Sequence, residues 1–230
     1  MYDNNRGAEG LRTDWGFACL IEFEERVILF DTGGDGPILL ANMEALGKEP
    51  SMVDVVVLSH VHGDHTGGLA GLLEAGAEPE VYVPASFPAA FKQQVARDAS
   101  LVEVEEPVEI LPGVYTTGEV EGRIIEQALV VETAKGWVLV TGCAHPGIVK
   151  MAAQAREVTG GKIALVMGGF HLRSERVDQI EEVISGLRDL DVASVAPVHC
   201  SGDRARELFK EAFGEGCQLV GVGAVFRFER

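Results

Sequence analysis

The chain has 230 residues, enough for one large hydrophobic core, and its 47% hydrophobic and 24% charged residues exclude a disordered class. A formal net charge of −17 argues against nucleic acid or an anionic membrane as a non-specific partner. No apolar run is long enough to cross a bilayer, and the first residues lack the layout of a signal peptide, so we expect a cytoplasmic protein.

The first half of the chain predicts strands that alternate with helices. Hydrophobic periodicity indicates a hairpin at FACLIEF with RVILFDTG, then a helix at PILLANMEALG and a buried strand at MVDVVVL. A helix at LAGLLEAG, a strand at VYVP and a helix at FPAAFKQQVARDA follow. Short strands and turns are expected over residues 101–123, where Pro107, Pro112 and Gly113 interrupt apolar and acidic pieces.

The second half has a more regular pattern. We expect a hairpin at ALVVET with WVLVTG and then a helix from about Ile148. A strand at IALVMGG, a helix at VDQIEEVISGLRDL and a strand at VASVAPV come next. A helix at RARELFKEAF and a final strand at QLVGVGAVFRF complete the pattern. No linker or repeat is visible. The sequence therefore predicts one domain over residues 1–230, built of sheets covered by helices.

All six histidines follow apolar strands. His60, His145, His171 and His199 come at or shortly after the ends of four predicted strands, and His62 and His65 follow His60 closely. An isolated histidine is most often a hydrogen-bonded structural residue. Because the carboxyl ends of strands share a rim in layered α/β folds, we instead expect these histidines to converge on one ligand site.

The stretch SHVHGDHTGG concentrates the metal-binding side chains. In an extended backbone, residues at i, i+2 and i+4 point to one side, which predicts that His60, His62 and Asp64 lie together. His65 would point elsewhere unless the chain turns. Imidazoles with a carboxylate suit zinc, manganese or iron at a catalytic site that keeps a position open for water.

SHVHGDHTGG, with FDTG upstream, resembles the signature of the metallo-β-lactamase superfamily. TGCAHPGIV, GGFHL and PVHCSG follow in an order that resembles a narrower group of metal-dependent hydrolases, which includes the dihydropterin synthase-like enzymes of tetrahydromethanopterin precursor synthesis. The resemblance runs from about Trp15 to Gly202. It implies an α/β fold, a four-layer αββα sandwich, with a metal site at one edge.

The resemblance also implies a set of metal ligands. One ion would be bound by His60, His62 and His145, and a second by Asp64, His65 and His199. Asp31 in FDTG would orient a ligand imidazole, although it reads equally well as a turn residue. Many members have an aspartate that bridges two ions where this chain has Cys143, which reads equally well as a zinc-binding thiolate and as a partly buried neutral thiol. The expected cofactor is therefore zinc as one or two ions, with manganese or iron as alternatives.

Other residues are candidates for catalysis and substrate binding. Asp64 would hold the attacking water, and His171 would act as a general acid or contact the substrate. Arg173 and Arg204 follow His171 and His199 closely, which suggests recognition of a phosphate or carboxylate. We therefore expect a small anionic substrate, with neither nucleic acid nor a membrane as partner; no oligomeric state is predicted.

The motifs favour a hydrolase in which metal-bound hydroxide attacks a small, phosphorylated ester. The alternative is a transferase that condenses a dihydropterin-methyl diphosphate with a ribofuranosylaminobenzene phosphate and releases pyrophosphate. A mononuclear iron dioxygenase ranks lower. A di-iron oxygen reducer is disfavoured because such members carry glutamate where this chain has His62, and a scaffold without activity is disfavoured by the complete motif.

Overall fold

The computed structural model describes residues 1–229 as a mixed α/β fold with two six-stranded sheets. The chain divides into two compact units. Unit 1 comprises Met1–Glu105 with Gly221–Ala224, and unit 2 comprises Glu106–Val220 with the residues from Val225 onward. The assignment of the whole chain to one domain stays a prediction.

Unit 1 contains a sheet in which the strands follow their chain order. Its strands are β1 (Tyr2–Asp3), β2 (Phe17–Phe23), β3 (Arg26–Phe30), β4 (Val55–Val57), β5 (Glu80–Pro84) and β6 (Ser100–Val104). Its helices are α1 (Gly36–Ala45), α2 (Gly63–Thr66), α3 (Leu69–Glu74) and α4 (Ala89–Asp98), with a 3₁₀ turn at Pro50–Met52. The predicted hairpin is confirmed as the antiparallel pair β2–β3, and β3 to β6 run parallel.

The sequence of unit 1 explains why these elements form where they do. The valines of β4 are all buried, as expected for a strand covered on both faces. Helix α1 begins after Asp35, whose side chain accepts a hydrogen bond from the Ile38 backbone N–H, and Pro37 occupies its first turn. Leu39 and Met43, one turn apart on α1, are fully buried in the core of this unit.

Unit 2 contains the second sheet, in the order β12-β11-β10-β9-β8-β7. Its strands are β7 (Val108–Leu111), β8 (Val114–Thr116), β9 (Leu129–Thr133), β10 (Gly136–Thr141), β11 (Ile163–Gly169) and β12 (Val195–Val198). Helices α5 (Ile148–Thr159), α6 (Val177–Asp189) and α7 (Asp203–Phe213) follow β10, β11 and β12 in turn, with 3₁₀ turns at His199–Ser201 and Gly214–Gly216. The hairpin β9–β10 is confirmed, and β10, β11 and β12 are parallel.

The predicted final strand, QLVGVGAVFRF, is wrong. Among the described residues this segment forms no strand, and Cys217 makes only an isolated bridge to Val195. A Cβ on Gly221 would lie 2.4 Å from the Arg6 backbone oxygen, and Gly223 has a φ of +83° that favours glycine. The two glycines let this segment, which belongs to unit 1, pack against the first residues of that unit.

The parallel strands position the histidines as the sequence predicts. His60 follows β4, whereas His145, His171 and His199 follow β10, β11 and β12. Within the sheet of unit 2, the last three histidines therefore emerge at one edge, where the strands end. Among the described residues, no helix is long and apolar enough to span a membrane.

Candidate metal centre

The HxHxDH stretch turns into a helix instead of staying extended. His62 precedes α2 as its N-cap residue, and the His62 carbonyl accepts hydrogen bonds from the His65 and Thr66 backbone N–H groups at 3.0 and 3.2 Å. The expectation of an extended run is therefore wrong, and the chain makes the turn on which the predicted direction of His65 depended. The turn brings the His65 ring to 4.2 Å from the His60 ring, measured between centroids.

Asp31 is the buried carboxylate of unit 1. Its Oδ1 accepts a hydrogen bond from the Ser59 backbone N–H at 2.7 Å, and its Oδ2 accepts from the Ser59 hydroxyl, also at 2.7 Å. His65 Nδ1 lies 2.7 Å from the same Oδ2. Both Asp31 and His65 are fully buried, so the carboxylate fixes the orientation of the imidazole.

These hydrogen bonds determine which ring nitrogens carry protons. A carboxylate only accepts, so His65 Nδ1 is the protonated nitrogen and His65 Nε2 keeps its lone pair. The Ser59 hydroxyl gives its proton to Asp31 and must accept from His60 Nδ1, which lies 2.9 Å away. His60 Nε2 therefore also keeps a lone pair, as a metal-binding nitrogen does.

The ring nitrogens that keep their lone pairs lie close to other possible ligand atoms of unit 1. His60 Nε2 lies 3.1 Å from His62 Nδ1, and His65 Nε2 lies 3.6 Å from Asp64 Oδ2. Such spacings are those of ligand atoms that share a coordination shell with bond lengths of about 2.0–2.1 Å. Asp64 retains 24% side-chain exposure, whereas His60 and His65 are fully buried. Unit 1 thus brings four candidate ligand groups close together.

Glu126 is the corresponding carboxylate of unit 2. Its side chain accepts hydrogen bonds from the backbone N–H groups of Cys143, Ala144 and His145 at 2.8, 2.8 and 3.0 Å. His145 Nδ1 donates to Glu126 Oε2 at 3.0 Å, which leaves the lone pair on His145 Nε2. Glu126 is fully buried and thereby fixes both the turn after β10 and the ring of the predicted ligand His145.

Three side chains of unit 2 form a second cluster beside His145. One ligand atom from each of Cys143, His171 and Cys200 lies within 4.8 Å of the others. The two cysteines are buried and His171 is exposed. The His171 ring lies 4.4 Å from the His145 ring.

The hydrogen bonds of this cluster alter its acidity. Burial raises the pKa of the Cys200 thiol, but hydrogen bonds with Cys143 and His171 and the charge of His199 outweigh burial and bring this pKa well below its ordinary value. The hydrogen bond with Cys200 raises the pKa of His171, whereas partial burial opposes that rise. The thiolate of Cys200 and the protonated form of His171 therefore stabilise each other.

Several residues of these candidate sites have a left-handed backbone conformation. Among residues 1–229, positive φ angles occur at six non-glycine residues, four of which belong to the sites described above. They are Asp31 (56°), Ala144 (58°), His171 (53°) and His199 (48°). Such conformations cost on the order of 1 kcal/mol each and persist where the surroundings enforce them. Local strain therefore coincides with the candidate site.

Arginines flank His171 in unit 2. The Arg173 backbone N–H donates to the Cys200 carbonyl at 3.2 Å, and the positive charge of Arg123 opposes the rise in the His171 pKa. Both side chains are exposed. The predicted Arg204 instead lies 3.5 Å from Glu207 in an exposed ion pair. Phe170 is buried, with its ring 5.4 Å from Phe209, which makes it a packing residue.

The sequence did not single out three residues that the structure brings to these sites. Ser59 lies inside the quoted motif. Glu126 and Arg123 lie in a segment without regular secondary structure, and Glu126 is 17 to 19 positions from its partners. An acidic residue before the buried run ALVV was the one available signal for Glu126.

Comparison with known families identifies the fold. The model of the metallo-beta-lactamase superfamily matches residues 16–203. The chain belongs to this superfamily. The resemblance and the fold class predicted from the sequence, an αββα α/β fold, are thereby confirmed. The relatives and fold neighbours of this chain are enzymes, and so is this chain.

Two relatives narrow the comparison. The chain is 30% identical to 7,8-dihydropterin-6-methyl-4-(beta-D-ribofuranosyl)-aminobenzene-5'-phosphate synthase of Methanocaldococcus jannaschii, over 93% of this chain and 90% of that protein. It is also similar to Tm1679, a metal-dependent hydrolase of the beta-lactamase superfamily, with a TM-score of 0.79 and 26% identity over 100% of this chain and 97% of that chain.

A third likeness concerns the fold alone. The short form of human tRNase Z matches with a TM-score of 0.67 and 13% identity, over 99% of this chain and 97% of that chain. A fold used on RNA by one protein does not assign RNA to another. The absence of a nucleic-acid partner therefore stays a prediction, which rests on the charge of −17.

Proposed function

We propose that this protein is a metal-dependent hydrolase that acts on a small, phosphorylated ester. The observation that carries the proposal is the state of the imidazoles. Hydrogen bonds to Asp31, Ser59 and Glu126 favour the tautomers of His65, His60 and His145 that carry the proton on Nδ1, and these tautomers leave the Nε2 lone pairs for a metal ion.

The donor set fits divalent zinc, with manganese or iron as alternatives. We assign His60, His62 and His145 to one ion, and Asp64, His65 and His199 to a second, as the family resemblance implies. The nitrogen and oxygen ligands agree with the preferences of these ions. A divalent ion at such a site lowers the pKa of water to roughly 7 and polarises a phosphoryl or carbonyl oxygen.

The chain's own residues supply orientation and charge. Asp64, whose carboxylate is partly exposed, accepts a hydrogen bond from the attacking water and aligns it. Arg123 and Arg173 bind the anionic group of the substrate, because both are exposed beside His171. Arg204 is less suited to this role, since Glu207 already pairs with its guanidinium.

A synthase activity is the second candidate, and the 30% identity to the M. jannaschii enzyme favours it. In that reaction the bond between the pterin methyl carbon and the diphosphate oxygen breaks. A bond forms between that carbon and either the amine or an electron-rich ring carbon of the acceptor. The attacking atom loses a proton, and pyrophosphate leaves. Trp15 is 40% exposed, and a Cβ on its neighbour Gly16 would lie 2.5 Å from the Asp64 backbone oxygen. We propose that this exposed indole stacks on the flat heterocycle of the substrate.

Parallel assays of the metal-loaded protein test both candidates. Phosphomonoesters and phosphodiesters report hydrolysis, and pyrophosphate release from a dihydropterin-methyl diphosphate with an aminobenzene acceptor reports synthesis. The hydrolase proposal predicts ester cleavage without an acceptor. Acceptor-dependent pyrophosphate release alone would replace it with the synthase.

Two variants connect the activity to the site. His62→Ala should abolish turnover and lower the metal content. Arg173→Ala should raise the Michaelis constant for an anionic substrate about tenfold or more, because a charge-assisted hydrogen bond is lost. Arg176→Ala is the matched control, since this exposed arginine pairs with Asp178. Equal effects at the two arginines would contradict the assignment of Arg173, and a metal-free protein that takes up no metal would contradict the proposal itself.

A further inference from the structure

Cys143, Cys200 and His171 lie where β10, β12 and β11 end, and none of them belongs to the HxHxDH motif. Their ligand atoms lie within 4.8 Å of one another, and the group combines two thiols with an imidazole, a donor set that suits zinc. We propose that Cys143, His171 and Cys200 bind a thiophilic divalent cation such as zinc, at a site formed by unit 2 alone.

The backbone of unit 2 holds the two sulfur atoms in place. The Cys143 N–H is fixed by Glu126 at 2.8 Å, and the Cys200 thiol faces the Cys143 carbonyl oxygen at 3.7 Å. Gly169, the last residue of β11, makes room between them, since a Cβ there would lie 2.6 Å from Cys200 Sγ and 3.1 Å from the Cys143 Cα. Any larger residue at position 169 would displace the sulfur.

The ligand chemistry favours zinc-like ions over magnesium or calcium. Two sulfur ligands and an imidazole select soft or borderline cations, whereas magnesium and calcium require oxygen. The buried cysteines form the inner wall and His171 is exposed, so a fourth position faces the solvent side. Three protein ligands with one open position are typical of ions that also bind a substrate or water.

This assignment gives His171 a different role from the one that the sequence predicts. As an acid or substrate contact, His171 could be removed without loss of metal. As a ligand, its removal costs one metal equivalent. It also assigns Cys143 to this cluster. Because Cys143 Sγ lies within 4.8 Å of ligand atoms of His145 and His199 as well, variants of Cys200 and His171, not of Cys143, test this site.

Cobalt(II) provides the probe, because thiolate ligands add a charge-transfer band in the near ultraviolet that nitrogen and oxygen ligands lack. The full-length protein is stripped with a chelator, kept reduced and titrated with cobalt, while bound metal is counted by elemental analysis. The wild type should develop the band as one equivalent binds. Cys200→Ala and His171→Ala should each bind one equivalent less, and Cys200→Ala should lose most of the band.

Controls separate this site from the catalytic one and from misfolding. Cys217→Ala removes a buried thiol elsewhere in unit 2 and should keep the band and the full count. His62→Ala should lose metal but keep the band, so failure of the catalytic proposal is distinguishable. A saturated wild type without the band, or Cys200→Ala with unchanged band and count, would overturn the assignment. So would a Cys143–Cys200 disulfide that persists under reducing conditions.

Discussion

Each unit holds a predicted ligand imidazole by means of a buried carboxylate, but the two carboxylates are connected differently. Asp31 in unit 1 bonds the His65 ring and, through the Ser59 hydroxyl, reaches the His60 ring. Glu126 in unit 2 bonds the His145 ring and three consecutive backbone N–H groups. Asp31 therefore orients side chains, whereas Glu126 also forms the loop from which its histidine projects.

Two carboxylates that both orient a ligand imidazole can therefore differ in how much of the backbone they also stabilise. Loss of Asp31 leaves the backbone of unit 1 largely supported by other bonds, such as the Thr32 N–H to the His65 carbonyl at 2.8 Å. Loss of Glu126 leaves buried N–H groups at Cys143, Ala144 and His145. We expect Asp31 variants to fail mainly in metal binding and Glu126 variants to fail also in folding.

Glu126→Ala should have the largest effect. Each buried N–H group that loses its acceptor costs about 1–3 kcal/mol, so the free energy of unfolding should fall by about 3 kcal/mol or more. Glu126→Gln should be intermediate, because its amide would face N–H groups with a second donor. Denaturant titration measures both, and Glu121→Ala, an exposed change in the same loop, is the control. A Glu126→Ala protein as stable as the wild type would contradict the claim that Glu126, unlike Asp31, also supports the fold.

Asp31→Asn should come next, with its main effect on metal affinity. An amide that donates toward His65 Nδ1 favours the tautomer in which Nε2 carries the proton, which blocks metal binding there. Changes of such supporting residues typically weaken metal affinity by about 10- to 100-fold. Competition with a chelator measures the loss. Asp35→Asn retains an acceptor for the N–H of Ile38 at the start of α1 and should match the wild type.

Ser59→Ala should have a smaller effect that isolates the connection between Asp31 and His60. The variant loses the hydroxyl but keeps the Ser59 backbone N–H bond to Asp31. We expect a loss of about 1 kcal/mol in stability and a few-fold loss in metal affinity. The same assays apply, with the exposed Ser51→Ala as control. An effect as large as that of Asp31→Asn would mean that the hydroxyl carries most of the orientation.

Tyr2 should give the smallest effect, seen only at alkaline pH. Burial, followed by the charges of Asp14 and Asp35, raises the pKa of Tyr2 from 10.0 to about 12. The neutral phenol is therefore favoured in the folded state, so its stabilisation is complete below pH 10 and is lost as the pH rises towards 12. Tyr2→Phe should flatten the stability profile over this window. Identical alkaline profiles for the two proteins would show that another group causes the loss.

Much of this comparison is visible in the sequence, and the rest depends on the fold. Asp31 and the histidines follow strands, and strand ends are readable from hydrophobic runs. The turn at Gly63 was missed because a stretch of four helical residues has no periodicity to read. Glu126 was missed because its partners come 17 to 19 residues later and its own segment has no regular structure.

Anomalous diffraction from zinc-loaded crystals tests the metal centre most directly. The account predicts a zinc peak at about 2.0–2.1 Å from His60 Nε2 and His62 Nδ1, with His65 Nδ1 and His145 Nδ1 still turned toward Asp31 and Glu126. A crystal that takes up stoichiometric zinc with no peak at these histidines would contradict the account.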